Sequence, residues 1–429
     1  MSIRNNKIVK NASWIIICKV INALLGLVVS MFTARYLGPS NYGLINYAAS
    51  LVAFVSPIML LGINEILVAE IVSDPENAGE ILGSSIIMCL FSAALCVTGI
   101  WAFVRITSRT ETETLYVCLL YSLILFCQAA ELIQYWFQAK LLSKYSSIIG
   151  LIAYVCISGY RVFLLITQKS IYWFAIANAL DTIIIAIVLI LLYNKLADQK
   201  LSFSFVRCKK LFNSGKYYII SNLMLVVFAQ TDRIMLKIMI NDAANGFYSA
   251  AVHCANVTAF AFAAIVNSAR PVVFESKLIS DEKFERSIVR LYSVIIYLSV
   301  IQGVFTTIFA KILIHVLYGD AYMASVQALQ IIVWYTSFSY IGGIRNIWIL
   351  AEKKQRLIIW INLTGAIVNV VLNWILIPTM GVNGAAIASL VTQGFMNVIL
   401  GFIIPGIRRN NELIIQSLNP KVWIEIIKK

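Results

Sequence analysis

Residues 172–193 read YWFAIANALDTIIIAIVLILLY, a run of 22 residues in which Asp181 is the one charged side chain. A helix of about 20 residues crosses the hydrocarbon core of a bilayer, so this run is long enough to span a membrane. The whole chain of 429 residues is 60% hydrophobic and 13% charged, whereas soluble domains are about 25% charged. This composition excludes a soluble enzyme, a disordered chain and a nucleic-acid binder.

Apolar runs of this kind recur along the sequence and predict an all-α polytopic membrane protein with about twelve transmembrane helices. A β-barrel is excluded because it would show short alternating segments. The first run is longer than the apolar part of a signal peptide and no small-residue cleavage site follows it, so we interpret it as an uncleaved span. The predicted spans are 12–33, 44–69, 81–104, 115–135, 148–167, 172–193, 217–239, 247–270, 288–310, 322–350, 357–377 and 382–405.

The longest loop, 194–216, divides the spans into two sets of six. We therefore predict an N-lobe (1–193), a cytoplasmic linker (194–216), a C-lobe (217–405) and a cytoplasmic amphipathic tail (406–429). An even number of spans gives the two halves the same orientation, as in parallel repeats. Residues 42–48 and 245–251 are weakly similar at an offset of 203, and each segment follows the first span of its half.

The distribution of basic residues predicts the orientation of the chain. The formal charge is +14, with 34 Lys and Arg residues. Of these, 23 lie on the side that holds both termini, five lie on the opposite side and six lie within spans. Cytoplasmic loops collect Lys and Arg, so both termini are predicted to be cytoplasmic. Loop 70–80 departs from this pattern, because it has four acidic residues and no basic one.

No catalytic or metal-binding motif occurs in the sequence. Residues 38–43 have the spacing of a phosphate-binding loop, but Leu44 and Ile45 stand where Lys and Ser or Thr are required. There are two histidines, no C-x-x-C, and seven of the eight cysteines lie in apolar runs. We therefore expect no enzyme activity, no cofactor and no metal. The outward loops have about ten residues or fewer, which disfavours an enzyme with an outer catalytic domain.

Charged and amide side chains inside the spans are the candidate functional residues, because such groups are costly in hydrocarbon unless they face water or a partner. More of these charges are basic than acidic, and a surplus of positive charge attracts an anion. For each residue the alternative is a salt bridge between helices or a side chain that reaches to the interface; Asp232 and Arg233 can neutralise each other. The predicted substrate-binding residues of a cationic cavity are Lys19, Asn22, Arg161, Arg233 and Arg345, and the predicted ion-coupling residues are Asp181 and Glu131.

The stretch 34–43, ARYLGPSNYG, follows a first span with a polar residue at its middle. This stretch, the twelve spans, the basic middle loop and the basic tail resemble the bacterial polysaccharide-transport flippases of the O-antigen (Wzx) type. Those flippases belong to the superfamily that also contains multidrug exporters. The resemblance implies a V-shaped bundle of two six-helix lobes related by a pseudo-two-fold axis, working by alternating access.

The same resemblance implies a function in O-antigen, lipopolysaccharide or related polysaccharide biosynthesis. The substrate would be an undecaprenyl-diphosphate-linked oligosaccharide, moved from the cytoplasmic to the periplasmic leaflet of the bacterial inner membrane. A polysaccharide polymerase and a chain-length regulator are the implied protein partners, and no nucleic acid is expected. A multidrug or cation antiporter of the same superfamily is the main alternative, and a membrane polysaccharide polymerase is a weaker one.

The charge count yields a prediction about topology. A reporter that is active only in the cytoplasm should work when fused after Leu196, and a reporter active only in the periplasm should work when fused after Ser108. The physical reason is the excess of Lys and Arg on the side of Leu196. The opposite pattern of activities would reverse the orientation and, with it, the direction of transport.

Overall fold

The structure is a computed structural model that describes the backbone of residues 2–420 and 423, and side chains from residue 21 onward apart from those of 23 and 24. Within these residues the chain is helical with short connecting turns and contains no strand. This confirms the predicted all-α class. Helices are the expected solution in lipid because a helix satisfies its backbone hydrogen bonds within one segment.

The chain forms two compact units. The first unit holds the residues up to Leu37 and Leu44–Gln230, and the second unit holds Gly38–Gly43 and the chain from Thr231 onward. The helices that begin in the first unit are α1 (Ser2–Met59), α2 (Ile63–Ser73), α3 (Ala78–Thr107), α4 (Thr112–Ser122), α5 (Ile124–Glu131), α6 (Gln134–Ala139), α7 (Ser143–Ile166), α8 (Ile171–Leu196) and α9 (Phe205–Met239). The helices of the second unit are α10 (Asp242–Ala255), α11 (Ala259–Ile279), α12 (Asp281–Tyr318), α13 (Ser325–Ala351), α14 (Arg356–Gly394), α15 (Leu400–Ile403) and α16 (Arg408–Ser417).

Nine helical segments within the described residues are long and apolar enough to cross a membrane. Two of the segments are broken at a glycine, Gly38 in α1 with a φ of 71° and Gly381 in α14 with a φ of 57°. Glycine adopts positive φ without a steric cost, so the chain can bend there. Each broken segment counts as two passes, and α13, with 27 residues, counts as one more, which gives twelve passes. Every predicted span falls on one of them, and the chain is a multi-pass membrane protein.

The predicted linker 194–216 is ordered in the structure. It contains the end of α8, an extended segment at residues 197–204 that we call the strap, and the first turns of α9. The strap and most of α9 belong to the first unit, which ends at Gln230. The division of the chain into an N-lobe (1–193) and a C-lobe (217–405) on either side of this segment stays a prediction.

The strap lies on a glycine face at the start of α3. The Ser202 N–H donates a hydrogen bond of 3.2 Å to the Gly79 carbonyl oxygen. A Cβ atom added at Gly79 or Gly83 would overlap the carbonyl oxygen of Lys200 or Ser202, respectively. The two glycines, spaced by four residues, therefore allow backbone to lie directly on backbone, as small residues do at close helix contacts.

Ion pairs between loop 70–80 and the start of α9 explain why this loop departs from the positive-inside pattern. Arg207 lies 3.0 Å from the Asp74 carboxylate and 3.3 Å from the Glu80 carboxylate, and Lys210 lies 3.2 Å from Glu70. A hydrogen bond from the Asn77 amide and the Arg207 guanidinium hold the pKa of Asp74 below its usual value. The acidic side chains of loop 70–80 are therefore paired with basic side chains at the start of α9.

The segment Gly38–Gly43, which carries the flippase-like motif, packs on α10 within the second unit. The Asn245 amide donates to the Gly43 carbonyl oxygen at 2.7 Å, and the Tyr42 hydroxyl lies 2.7 Å from His253 Nδ1. A Cβ atom at Gly43 would overlap the Asp242 carbonyl oxygen. Gly43 and Gly246 correspond at the offset of 203 residues, and their backbones are in contact. The weak internal similarity therefore marks two segments that touch.

The predicted tail 406–429 contains α16, which packs on α12. The Tyr292 hydroxyl donates to the Asn410 side-chain oxygen at 2.9 Å, and the Tyr297 hydroxyl donates to the Leu418 carbonyl oxygen at 3.0 Å. Trp423 stacks on Tyr297 with 5.2 Å between ring centroids. The predicted interfacial helix after Pro420 falls on 421, 422 and 424–429, which lie outside the described residues.

The contact between the strap and α3 predicts that alanine substitutions at two glycines of this helix have different effects on stability. Gly83→Ala should destabilise the protein by about 1–3 kcal/mol, because the added methyl group meets strap backbone and not a flexible side chain. Gly99→Ala is the matched control, since nothing lies within 4 Å of its added Cβ. Alanine is favoured over glycine in a helix by about 1 kcal/mol, so this control should hold or gain stability. Thermal unfolding of the purified variants tests this, and equal melting temperatures would contradict it.

Candidate functional site

Polar side chains from four helices of the first unit make up a group that we call the first-unit cluster. Hydrogen bonds or electrostatic interactions join Glu131, Tyr154, Arg161, Asn178 and Asp181. Asn22, Gln128 and Ser158 belong to it by position, because each lies one helical turn from Gly26, Glu131 and Arg161, respectively. The cluster brings together four of the residues predicted from the sequence, on α1, α5, α7 and α8. The members are Asn22, Gln128, Glu131, Tyr154, Ser158, Arg161, Asn178 and Asp181.

Arg161 is the cation of this cluster. Its Nη2 atom donates a hydrogen bond of 2.8 Å to the Asn178 side-chain oxygen. Arg161 also interacts with the Tyr154 hydroxyl two turns earlier on the same face of α7, and with the charge of Asp181. In the described part of the chain no carboxylate lies within the 4.0 Å of an ion pair with Arg161. A neutral amide therefore orients the guanidinium and leaves its charge uncancelled at close range.

The acids of the cluster, Glu131 and Asp181, come from α5 and α8. Their carboxylates interact electrostatically with each other. Asp181 Oδ1 is buried and has no hydrogen-bond partner among the described residues. Two carboxylates that interact inside membrane spans are suited to hold a proton or a cation, because an unpaired charge is costly there.

Three more oxygen atoms of the cluster are buried without a hydrogen-bond partner in the described structure. These are Asn22 Oδ1, Gln128 Oε1 and Ser158 Oγ. An unsatisfied buried polar atom costs about 1–3 kcal/mol, so several of them in one group indicate that water or a ligand supplies the missing partners.

The polar face of α1 joins the cluster through a small residue. A Cβ atom at Gly26 would lie 2.6 Å from the Tyr154 hydroxyl oxygen, so only glycine lets α1 approach α7 this closely. Asn22 lies one turn before Gly26 on the same face. The side chain of Lys19, one turn before Asn22, lies outside the described residues, and its place at the site stays a prediction.

A second polar group surrounds Asp232, at the end of α9 in the second unit. The carboxylate is 4% exposed and accepts hydrogen bonds from four neutral side chains. Tyr248 donates at 2.5 Å, Asn369 at 3.1 Å and Asn373 at 2.5 Å, and Ser389 donates to the same carboxylate. We call this group the Asp232 cage.

The Asp232 cage can hold a small cation or a proton. The side-chain oxygens of Asn369 and Asn373 are buried and have no hydrogen-bond partner in the described structure. Carboxylate, amide and hydroxyl oxygens are the ligands that hard cations prefer. The described residues contain no group of three His, Cys, Asp or Glu side chains that would hold a metal ion in the usual way.

The sequence offered mutual neutralisation with Arg233 as one alternative for Asp232 and did not indicate the cage. One usable signal was the pair Asn369 and Asn373, since residues four apart lie on one helical face. The other donors come from α10 and the last part of α14, and no spacing in the sequence connects them with Asp232. Arg233 itself is half-buried in the second unit, where its charge acts on His253 and Tyr335.

Arg345 is buried inside the second unit with 3% of its surface exposed. Its Nη1 atom donates at 2.7 Å to the Met396 carbonyl oxygen, which lies in a short π-helix, Phe395–Ile399. The Asn411 amide of α16 donates at 2.6 Å to another carbonyl of that π-helix, at Val398. In this position Arg345 stabilises the π-helix. The prediction that Arg345 binds the substrate requires its side chain to leave these contacts.

Comparisons with known proteins agree with this architecture. The sequence model of a family described as polysaccharide biosynthesis protein matches residues 8–277. No curated protein matches the chain significantly. Among solved structures, the lipid II flippase MurJ in an inward closed conformation aligns with a TM-score of 0.69, 16% identity, and coverage of 96% of this chain and 92% of that chain.

An inward-facing multidrug resistance MATE family transporter of the MOP superfamily aligns with a TM-score of 0.68 and 12% identity. The alignment covers 92% of this chain and 96% of that chain. At these identities the likeness shows the fold alone. The chain has the helical fold shared by these transporters and the flippase, none of which is an enzyme by its description.

The Asp232 cage predicts a strong effect from a nearly isosteric change. Asp232→Asn replaces an acceptor with an N–H donor that faces four other donors, so at least one stays unpaired at a cost of about 1–3 kcal/mol. Thermal unfolding should show a clear loss of stability. The control is Glu113→Gln, the same chemical change at an exposed residue in the first turn of α4. A loss that is no larger for Asp232→Asn than for the control would contradict the arrangement.

Proposed function

Since the chain belongs to the family of polysaccharide biosynthesis proteins, whose model matches residues 8–277, we propose that it is a flippase for an undecaprenyl-diphosphate-linked oligosaccharide. The transported lipid is an O-antigen or similar repeat unit. It moves from the cytoplasmic to the periplasmic leaflet of the bacterial inner membrane by alternating access. The chain is a membrane protein with a MOP-type transporter fold, and its family is one of polysaccharide biosynthesis.

The observation that carries the proposal is Arg161 in the first-unit cluster. A guanidinium is costly inside a membrane span unless an anion or water meets it. Among the described residues, Arg161 is held by the neutral Asn178 and not by a carboxylate ion pair. Its bidentate N–H groups match a phosphate, which makes the diphosphate of the lipid carrier a suitable partner.

Different side chains of the cluster suit different parts of the substrate. The diphosphate, which only accepts hydrogen bonds, binds Arg161 and, in the proposal, Lys19. The unsatisfied oxygens of Asn22, Gln128 and Ser158 need donors, which sugar hydroxyls and water supply. The polyprenyl chain stays in the surrounding lipid, since moving it into a polar cavity would lose its apolar contacts.

Glu131 and Asp181 are the proposed coupling residues. Binding of a proton or cation to the acid pair changes the charge next to Arg161, and with it the affinity for an anionic substrate. Arg233 and Arg345 remain proposed contacts at other stages of the cycle. Both termini are proposed to be cytoplasmic, and a polymerase and a chain-length regulator are the proposed partners.

The alternative function is a multidrug or cation antiporter. The feature that favours it is the same pair of acids, because Glu131 and Asp181 outnumber Arg161 in the described cluster. A cationic drug would bind the carboxylates and avoid Arg161. Efflux of cationic dyes from cells that express the protein therefore separates the two functions, because a flippase for an anionic lipid should not confer it.

The test is restoration of surface polysaccharide to cells that lack their own flippase. Arg161→Ala and Lys19→Ala should lower polysaccharide export about 10- to 100-fold, as expected when charged hydrogen bonds to a ligand are lost. Arg161→Lys should keep part of the activity because it keeps the charge. Arg105→Ala, at an exposed position near the end of α3, is the control and should export normally.

Protein abundance in the membrane is measured in parallel, and the lipid-linked oligosaccharide should accumulate in cells with the inactive variants. Full activity of Arg161→Ala would remove Arg161 from the substrate site. Rescue of Lys19→Ala by a second change, Asp181→Ala, would make Lys19 a partner of that acid and not of the diphosphate. Dye efflux without polysaccharide export would favour the antiporter.

A further inference from the structure

A cavity of about 330 Å³ lies in the first unit, where α6 and α8 end and the strap begins. It is a different place from the first-unit cluster, because no member of the cluster lines it. The side chains that matter for its chemistry are those of Trp136, Lys140, Leu142, Leu196, Asp198 and Gln199. Nothing in the proposed transport mechanism uses this cavity.

The walls of the cavity are fixed by contacts outside it. The Gln199 side-chain oxygen accepts a hydrogen bond of 3.0 Å from the Gly79 N–H, and its amide nitrogen donates at 3.2 Å to the Pro75 carbonyl oxygen. Trp136 is buried edge-on against Tyr193, with 5.1 Å between ring centroids. The cavity is therefore formed before a ligand arrives, as binding pockets commonly are.

Two charges of opposite sign line the cavity without pairing. Lys140 and Asp198 are both exposed, and neither forms an ion pair with any residue that the structure describes. Lys140 follows the end of α6 and Asp198 lies on the strap, and the two do not form an ion pair with each other. A ligand that carries a separated anion and cation would satisfy both.

The cavity lies at the end of α8, one of the segments long and apolar enough to cross a membrane, so we expect it to lie near the interface of the bilayer. Leu196 ends the apolar helix α8 and is 45% exposed, as is Leu141, next to the lining residue Leu142. Trp side chains are enriched at this depth of the membrane. A ligand bound here can place a polar head in the cavity while an apolar chain follows the exposed leucines.

We propose that this cavity binds the head group of a zwitterionic aminophospholipid, phosphatidylethanolamine. The Lys140 ammonium meets the lipid phosphate, and the Asp198 carboxylate accepts N–H hydrogen bonds from the ethanolamine ammonium. The acyl chains run along the exposed Leu141 and Leu196. An anionic lipid would leave Asp198 without a cation, and a choline lipid has no N–H to donate.

The experiment compares three probe lipids on the purified full-length protein: phosphatidylethanolamine, phosphatidylcholine and phosphatidylglycerol with identical acyl chains. Native mass spectrometry counts the lipid that stays bound. Phosphatidylethanolamine should be retained about three- to fivefold more than either other lipid, as expected for exposed ion pairs. Asp198→Asn should abolish the preference over phosphatidylglycerol, and Lys140→Gln should weaken retention of phosphatidylethanolamine.

Two matched variants control for a general loss of charge. Lys195→Gln changes an exposed lysine near the cavity that does not line it, and Glu113→Gln changes an exposed carboxylate in α4. Both should keep the wild-type preference. Equal retention of the three lipids, preference for phosphatidylglycerol, or a preference that survives Asp198→Asn would each overturn the proposal. Polysaccharide export is scored separately, so a failed lipid result leaves the transport function standing.

Discussion

Hydrocarbon offers no hydrogen-bond partner, so each backbone and side-chain polar group in a span must find one within the protein. This constraint accounts for the helices and also for what interrupts them. At the π-helix Phe395–Ile399, the carbonyl oxygens of Met396 and Val398 are satisfied by Arg345 and Asn411. At Asp232, four neutral donors, one from α10 and three from α14, surround one carboxylate.

The same constraint distinguishes the two polar groups of the molecule. The Asp232 carboxylate accepts four hydrogen bonds, which match the lone-pair sites of its two oxygens, so this end of α9 is fixed within the second unit. The first-unit cluster is less satisfied, because Asn22, Gln128, Ser158 and Asp181 each hold a buried oxygen without a partner among the described residues. A charge whose hydrogen bonds are all made holds structure in place, whereas oxygens without partners gain free energy when a ligand or water enters.

Close contacts between backbone segments, made possible by glycines, hold further parts of the chain in place within each unit. Glycines at 79 and 83 admit the strap, and Gly43 admits the start of α10. The strap also brings the cations Arg207 and Lys210 to the acids of loop 70–80. The predicted linker 194–216 is therefore held in a fixed position. Its strap residues form one wall of the cavity that Lys140 and Asp198 line.

The sequence by itself determined the class, the positions of the spans and the candidate polar residues, because apolar runs and intramembrane charges are local properties of the chain. It also placed Arg161, Asp181, Glu131 and Asn22 among the candidates for a cationic cavity, although it did not distinguish them from Arg233 and Arg345. Only the tertiary structure separated those four from Arg233 and Arg345, and only it assembled the donors around Asp232. Spacing along one helix predicts which side chains share a face, but contacts between helices far apart in sequence depend on packing that no local pattern contains.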